Sequence, residues 1–119
     1  MLLVDTSVWI QHFRRGDPGL RDRLSEGQVL THPFVVGELA CGSLKNRATI
    51  LSYLRSLAGA KMALDSEVHR LVDDRRLWSR GLGWMDMHLL ASALLTHCGL
   101  WTLDQWLAEA AADLGLRQG

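Results

Sequence analysis

Proline is scarce in this sequence, with two residues in 119, and neither sign of charge is in excess, 13 basic residues facing 13 acidic ones. With 48% hydrophobic and 22% charged residues, that scarcity excludes a disordered tail, a collagen-like repeat or a low-complexity segment. The zero formal charge argues against a protein that coats nucleic acid through a strong positive field. The objection weakens if four of the 13 acids are gathered and neutralised in one site, because nine acids then face 13 bases elsewhere. Neutrality leaves an RNA substrate open.

Long hydrophobic runs are missing too. No uninterrupted apolar stretch approaches the roughly 20 residues of a membrane span. The opening Met1-Leu2-Leu3-Val4-Asp5 has neither the basic flank nor the sustained apolar stretch of a secretory signal. A cytoplasmic protein without membrane contact is expected. Cysteine is limited to Cys41 and Cys98, in apolar sequence surroundings, without CxxC spacing or histidines at zinc-site intervals. Both are expected to be buried thiols in a reducing compartment rather than a disulfide. At 119 residues the chain suits one core and is short for two, so residues 1–119 are read as a single domain.

What is present is an alternation of short apolar runs and helical patterns. Leu2-Leu3-Val4 ends at Asp5-Thr6-Ser7, residues that favour helix N-caps, and gives way to Val8-Trp9-Ile10 and His12-Phe13 at helical spacing. Pro18 to Ser25 reads as a helix, Gln28-Val29-Leu30-Thr31 as a strand, and Pro33 to Cys41 as a helix with proline in its first turn. Within Asn46 to Ala58, Ile50, Leu51, Leu54 and Leu57 form a helical stripe, mostly core, with part of it available as a groove for a partner helix. Lys61-Met62-Ala63-Leu64 is expected as a further strand before a helix from about Asp65, whose stripe is Val68, Leu71, Val72 and Trp78. Met85 to His97 reads as a helix, Gly99 to Leu103 as a strand, and Asp104 to Leu114 as a last helix stopped by Gly115. Strands alternating with helices pair in parallel through right-handed crossovers. The expected fold class is therefore α/β, a three-layer α/β/α sandwich around a central, mainly parallel sheet.

Four acids stand out against this frame. Asp5 and Asp104 each follow an apolar strand and precede a helix, at the carboxyl edge of a parallel sheet, where open α/β folds form ligand crevices. Each would also serve as a plain N-cap. Glu38 has Phe34, Val35, Cys41 and Gly42 at helical spacing, so its carboxylate is expected to point inward, where it needs a partner or a metal. A buried ion pair or a snorkelling side chain is the alternative. Asp86 heads the stripe Leu89, Leu90, Ala93 and Leu94, unless it is only a first-turn acid favoured by the helix dipole. Four carboxylates in one crevice repel one another unless a divalent cation shares them, and oxygen ligands without thiolate suit Mg2+ or Mn2+. Such a site suits phosphodiester hydrolysis, since the ion acidifies water and neutralises charge developing on the phosphate.

Other polar and aromatic residues are less pointed. The five histidines offer no pair at metal spacing with a third partner, and are assigned packing or solvated roles. Trp9 and Trp101 are assigned to the core or a partner interface, while Trp78 and Trp84, flanking a glycine-rich loop, are open between burial and stacking on RNA. Arg14, Arg15, Arg75, Arg76 and Arg80 are either solvated faces or phosphate contacts.

The chain carries Asp5-Thr6-Ser7 after the first strand, Val36-Gly37-Glu38-Leu39, Gly83-Trp84-Met85-Asp86-Met87-His88-Leu89-Leu90-Ala91-Ser92-Ala93, and Thr102-Leu103-Asp104, in that order. With this set it resembles PIN-domain nucleases over nearly its whole length. The short form and the block around Asp86 are most similar to VapC toxins of bacterial type II toxin–antitoxin pairs. The resemblance implies a metal-dependent endoribonuclease, usually using Mg2+ or Mn2+, and a cognate VapB-like antitoxin that wraps the toxin and blocks its acidic site. Matched residue by residue, it gives Asp5, Glu38, Asp86 and Asp104 the catalytic and metal-binding roles, with Thr6 or Ser7 helping to hold a water or phosphate. A homodimer is expected. Many relatives carry a further acid just after the last aspartate, whereas Gln105 and Trp106 follow Asp104 here, a departure that bears on a second metal. The competing reading is a PIN-like binding or scaffolding domain that has lost catalysis, against which the four acids argue. A metal-dependent phosphatase would want an Asp-x-Asp pair near the first strand, and Ser7 occupies that place.

Overall fold

The computed structural model describes residues 1–117; residues 118–119 of the expected domain lie outside the described residues. Leu2, Leu3 and Val4 are buried without alternation, as a strand covered on both faces must be, and form β1 (Leu2–Val4). β1 lies between β2 (Val29–Leu30) and β3 (Gly99–Trp101) and is parallel to both. Leu2 stands opposite Val29 and Gly99, and Leu3 opposite Leu30 and Leu100. Isolated parallel bridges from Thr31 to Gly59 and from Leu100 to Arg117 extend the two edges.

The helices are α1 (Thr6–Arg15), α2 (Pro18–Ser25), α3 (Pro33–Cys41), α4 (Arg47–Ser56), α5 (Asp65–Arg75), α6 (Trp84–Thr96) and α7 (Gln105–Asp113). Among the described residues these seven helices and the three-stranded parallel sheet make up the expected α/β/α sandwich. Proline sits at the start of α2 and α3, where its missing N–H is no loss. The residue before each proline caps the helix: Asp17 Oδ1 and His32 Nδ1 accept the N–H groups of Leu20 and Phe34, each at 3.0 Å. α6 is buried without a break from Met87 to Ala93, so it runs through the core rather than lying on it. Trp9, Leu54, Leu77 and Leu107, all fully buried, belong to the same core. The α4 stripe is spent there too, with Leu51 and Leu54 buried and Ile50 and Leu57 packed against them.

Three expectations need correction. Lys61 to Leu64 is not a strand: the contact with the β2 edge is made earlier, by Gly59, and Met62 and Leu64 are exposed while Ala63 points inward. The α5 stripe ends at Val72 because Arg76 turns left-handed at φ 54° and stops the helix, leaving Leu77 to enter the core and Trp78 on the surface. Cys98 is buried, but Cys41 is exposed at the end of α3. Among the described residues no helix is long and apolar enough to cross a membrane.

Candidate active site

The carboxyl ends of β1 and β3 are adjacent in the sheet, and the chain turns into a helix after each, at Asp5 and at Asp104. Asp5 continues the ladder, its N–H donating to the Trp101 carbonyl at 2.9 Å, but its side chain does not cap α1. Instead Asp5 Oδ2 accepts two hydroxyls, from Ser7 at 2.8 Å and from Thr102 at 2.7 Å. Each hydroxyl in turn accepts a backbone N–H of the turn after β3, Ser7 from Leu103 at 3.0 Å and Thr102 from Asp104 at 3.1 Å. The carboxylate of one strand end is thereby fixed by the backbone of the other.

Asp104 does act as an N-cap, its Oδ1 accepting the N–H groups of Trp106 and Leu107 at 2.9 and 3.0 Å. Asp86 does too, in its own way: Oδ2 reaches back to the Gly83 N–H at 3.0 Å. The plain structural roles weighed for these two are thus real, and each leaves the second carboxylate oxygen outside the cap. Glu38 lies on α3, one turn from its end, where Oε1 accepts the Thr6 hydroxyl at 3.3 Å. It is solvent-accessible rather than sunk among apolar neighbours, and it faces the crevice and not the core.

Electrostatics joins the four into one group. The Glu38 carboxyl is raised above its ordinary range by partial burial first, then by the charges of Asp5 and Asp86, against the opposing Thr6 hydroxyl. Asp86 is raised likewise by burial, then by Asp5 and Asp104, against the Gly83 N–H. Among the described residues no three acidic, histidine or cysteine side chains stand close enough together to ligate one ion without moving. The donor set itself fits a hard divalent cation: all oxygen and high in negative charge, with Glu38 and Asp86 raised in the absence of a counter-ion.

The profile of the PIN domain matches residues 2–113. This chain belongs to the PIN-domain family. It is of VapC type: over 117 residues it is 46% identical to proteins named Ribonuclease VapC32 from two strains of Mycobacterium tuberculosis, covering 98% of this chain and 94% of each relative.

In this PIN domain the four acids singled out in the sequence are linked by their charges, Asp5 acting on Glu38 and Asp86, Asp86 on Glu38 and Asp104 on Asp86, and the Thr6 and Ser7 hydroxyls are engaged to Glu38 and Asp5. Thr102 escaped sequence reasoning, although it holds Asp5 as closely as Ser7 does. Its signal was its place two residues before Asp104, directly after the strand that neighbours β1. Arg80 and Trp106 were also passed over as a pair, and only the fold brings the loop before α6 against the start of α7.

Proposed function

We propose that this chain is a divalent-metal-dependent endoribonuclease, the toxin of a toxin–antitoxin pair, working at the crevice of Asp5, Glu38, Asp86 and Asp104. One observation carries the assignment of the site: the Asp5 carboxylate is fixed by two hydroxyls at the junction of two parallel strand ends, where its charge reaches Glu38 and Asp86 and that of Asp104 reaches Asp86. Mg2+ or Mn2+ is the expected ion. When bound, it would acidify water and neutralise charge developing on the phosphate oxygens. Ser7 and Thr102 hold Asp5 in one orientation, so the carboxylate meets the ion without paying to order itself. Thr6 holds Glu38 in the same way from the first turn of α1. Asp86 and Asp104, each with one oxygen engaged by backbone N–H groups, offer the other to the crevice.

The VapC relationship supports RNA as substrate and a VapB-like antitoxin as partner, acting in the cytoplasm. It further supports a homodimer built from one PIN domain per chain. The deciding experiment is induction in a bacterial host without a partner, followed by mapping of RNA 5′ ends. Growth arrest and new 5′ ends are expected, and both are lost in Asp5→Ala. Equal toxicity and equal cleavage by that variant would overturn the assignment, while antitoxin binding with no chelator-sensitive cleavage would favour a scaffolding role.

A further inference from the structure

Outside the acidic crevice, the loop before α6 and the first turns of α7 border an open pocket of about 510 Å3, lined by Ser79, Arg80, Gly81, Trp106 and Glu109. That volume is in the range of pockets that take a small organic ligand. We propose that it is a subsite for one unstacked guanine base of the RNA strand, an inference that rests on the ribonuclease reading above.

The pocket adjoins the acids. Trp106 follows Asp104 by two residues and donates its backbone N–H to that carboxylate, so one wall of the pocket grows out of one acid's cap. The opposite wall, Ser79 to Gly81, runs two residues further to Gly83, whose N–H is held by Asp86. A nucleotide in this pocket is therefore the near neighbour of one lying over the acids.

Its lining suits a base. Trp106 is 50% exposed, a large indole left on the surface with one ring lying against Gly81: a Cβ there would stand 3.3 Å from its Cγ and Cδ1. Single-stranded RNA is recognised by splaying bases out onto such aromatic faces and reading their Watson–Crick edges. Arg80 is not loose, since its Nη2 is tied to Asp113 Oδ2 at 2.7 Å, which fixes the guanidinium in the lining of the pocket that Trp106 shares. Glu109, one turn after Trp106 on α7, has no ion-pair partner among the described residues. An unpaired carboxylate repels phosphate, so its use in an RNA site is to accept N–H groups from a base edge. Guanine alone presents two adjacent donors there, N1–H and the N2 amino group, matching the two oxygens of a carboxylate. Adenine and cytosine offer an amino group beside a bare ring nitrogen, and the N–H of uracil is flanked by two carbonyl oxygens.

The test uses the full chain and an oligouridylate carrying one central guanine, compared with the same strand carrying adenine or cytosine, or uridine throughout. Binding is read by fluorescence anisotropy in an Asp5→Asn background, and cleavage of the same strands is mapped with Asp5 intact. The guanine strand is expected to bind roughly tenfold to hundredfold more tightly than the all-uridine strand through stacking and edge contacts. Trp106→Ala removes that margin, Trp106→Phe keeps most of it, and Glu109→Gln lowers guanine affinity to the level of adenine, leaving the share that comes from stacking. Equal binding of all four strands, or an unchanged guanine preference in Trp106→Ala, overturns the proposal. Cleavage that ignores guanine sinks the subsite and leaves the nuclease. Guanine-selective binding without chelator-sensitive cleavage does the reverse, and silence in both arms removes both.

Discussion

The Thr102 hydroxyl donates a 2.7 Å hydrogen bond to Asp5 Oδ2, joining residues 97 positions apart at the ends of two neighbouring parallel strands. Thr102 Oγ1 also accepts the Asp104 N–H, so one side chain orients one acid and anchors the turn that carries another. Thr102→Val keeps the shape and removes both bonds. A hydrogen bond to a charged acceptor is worth about 1.5–3 kcal/mol, less where water can substitute, so thermal unfolding should show a loss toward the lower figure. RNA cleavage should fall more than tenfold, in kcat rather than KM, with Thr102→Ser restoring most of it. Unchanged kcat in Thr102→Val would show that Ser7 alone suffices to hold Asp5.

The acids of the crevice oppose folding when no cation is present. Glu38 and Asp86 have carboxyls raised by burial and then by their acidic neighbours, so the folded chain binds protons that the unfolded chain has already released. Their contribution is favourable at acid pH and is lost as pH rises through the raised values. At neutral pH, Asp86→Asn should raise the melting temperature of the metal-free protein by roughly a few degrees while abolishing cleavage. Asparagine can still accept the Gly83 N–H, so the helix start survives. Added Mg2+ should stabilise the unaltered protein and do so less for the variant. A variant that melts lower than the parent without metal would mean that the cap outweighs the repulsion.

How far the sequence announced this can be judged at particular residues. Pro18 and Pro33 marked the first turns of α2 and α3 because proline is tolerated there and not further in. Asp5 and Asp104 were legible because an acid at the end of an apolar run before a helix has few other places to be. Glu38 was found for an imperfect reason: its neighbours in sequence are apolar, but it lies on the side of α3 that meets the crevice, which helical spacing alone does not distinguish from the core side. The same blindness misplaced Cys41. Lys61 to Leu64 has the composition of a strand and lacks only a neighbour to pair with, and pairing is a property of the fold rather than of the segment. Thr102 and the Arg80–Trp106 pocket depend on which strand ends and loops meet, information that no local pattern carries.

His32 supplies a pH dependence of the opposite sense. It has no exposed surface; its Nδ1 accepts the Phe34 N–H, so Nε2 carries the proton and donates to Ser92 Oγ at 3.0 Å. Burial first, and the nearby His88 second, push its pKa down from 6.5 to about 4. The unfolded chain takes up a proton near 6.5 and the folded chain only near 4, so stability is intact above 6.5 and is lost as pH falls toward 4. The full loss is on the order of 3 kcal/mol. His32→Asn, which can still cap α3, should be less stable at neutral pH but should flatten the decline of melting temperature with acid. An equally steep decline in the variant would place the acid sensitivity elsewhere.

Gly81 is held at φ 77°, a left-handed conformation that a side chain strains, and its missing Cβ is the space against which the Trp106 ring rests. Gly81→Ala therefore meets two costs at once. The backbone strain is about 1–2 kcal/mol, and the new methyl, 3.3 Å from Cγ and Cδ1, must push the indole outward or shift the loop. Because Gly83 of the same loop donates its N–H to Asp86 Oδ2, the displacement is carried toward the acids as well as into the pocket. The expected result is a lower melting temperature with an altered tryptophan emission, and RNA cleavage that falls even where the protein remains folded. A Gly81→Ala protein with the parent's emission and cleavage would show that the loop gives way without moving either Trp106 or Asp86, and that the two walls of the pocket are not mechanically joined to the crevice.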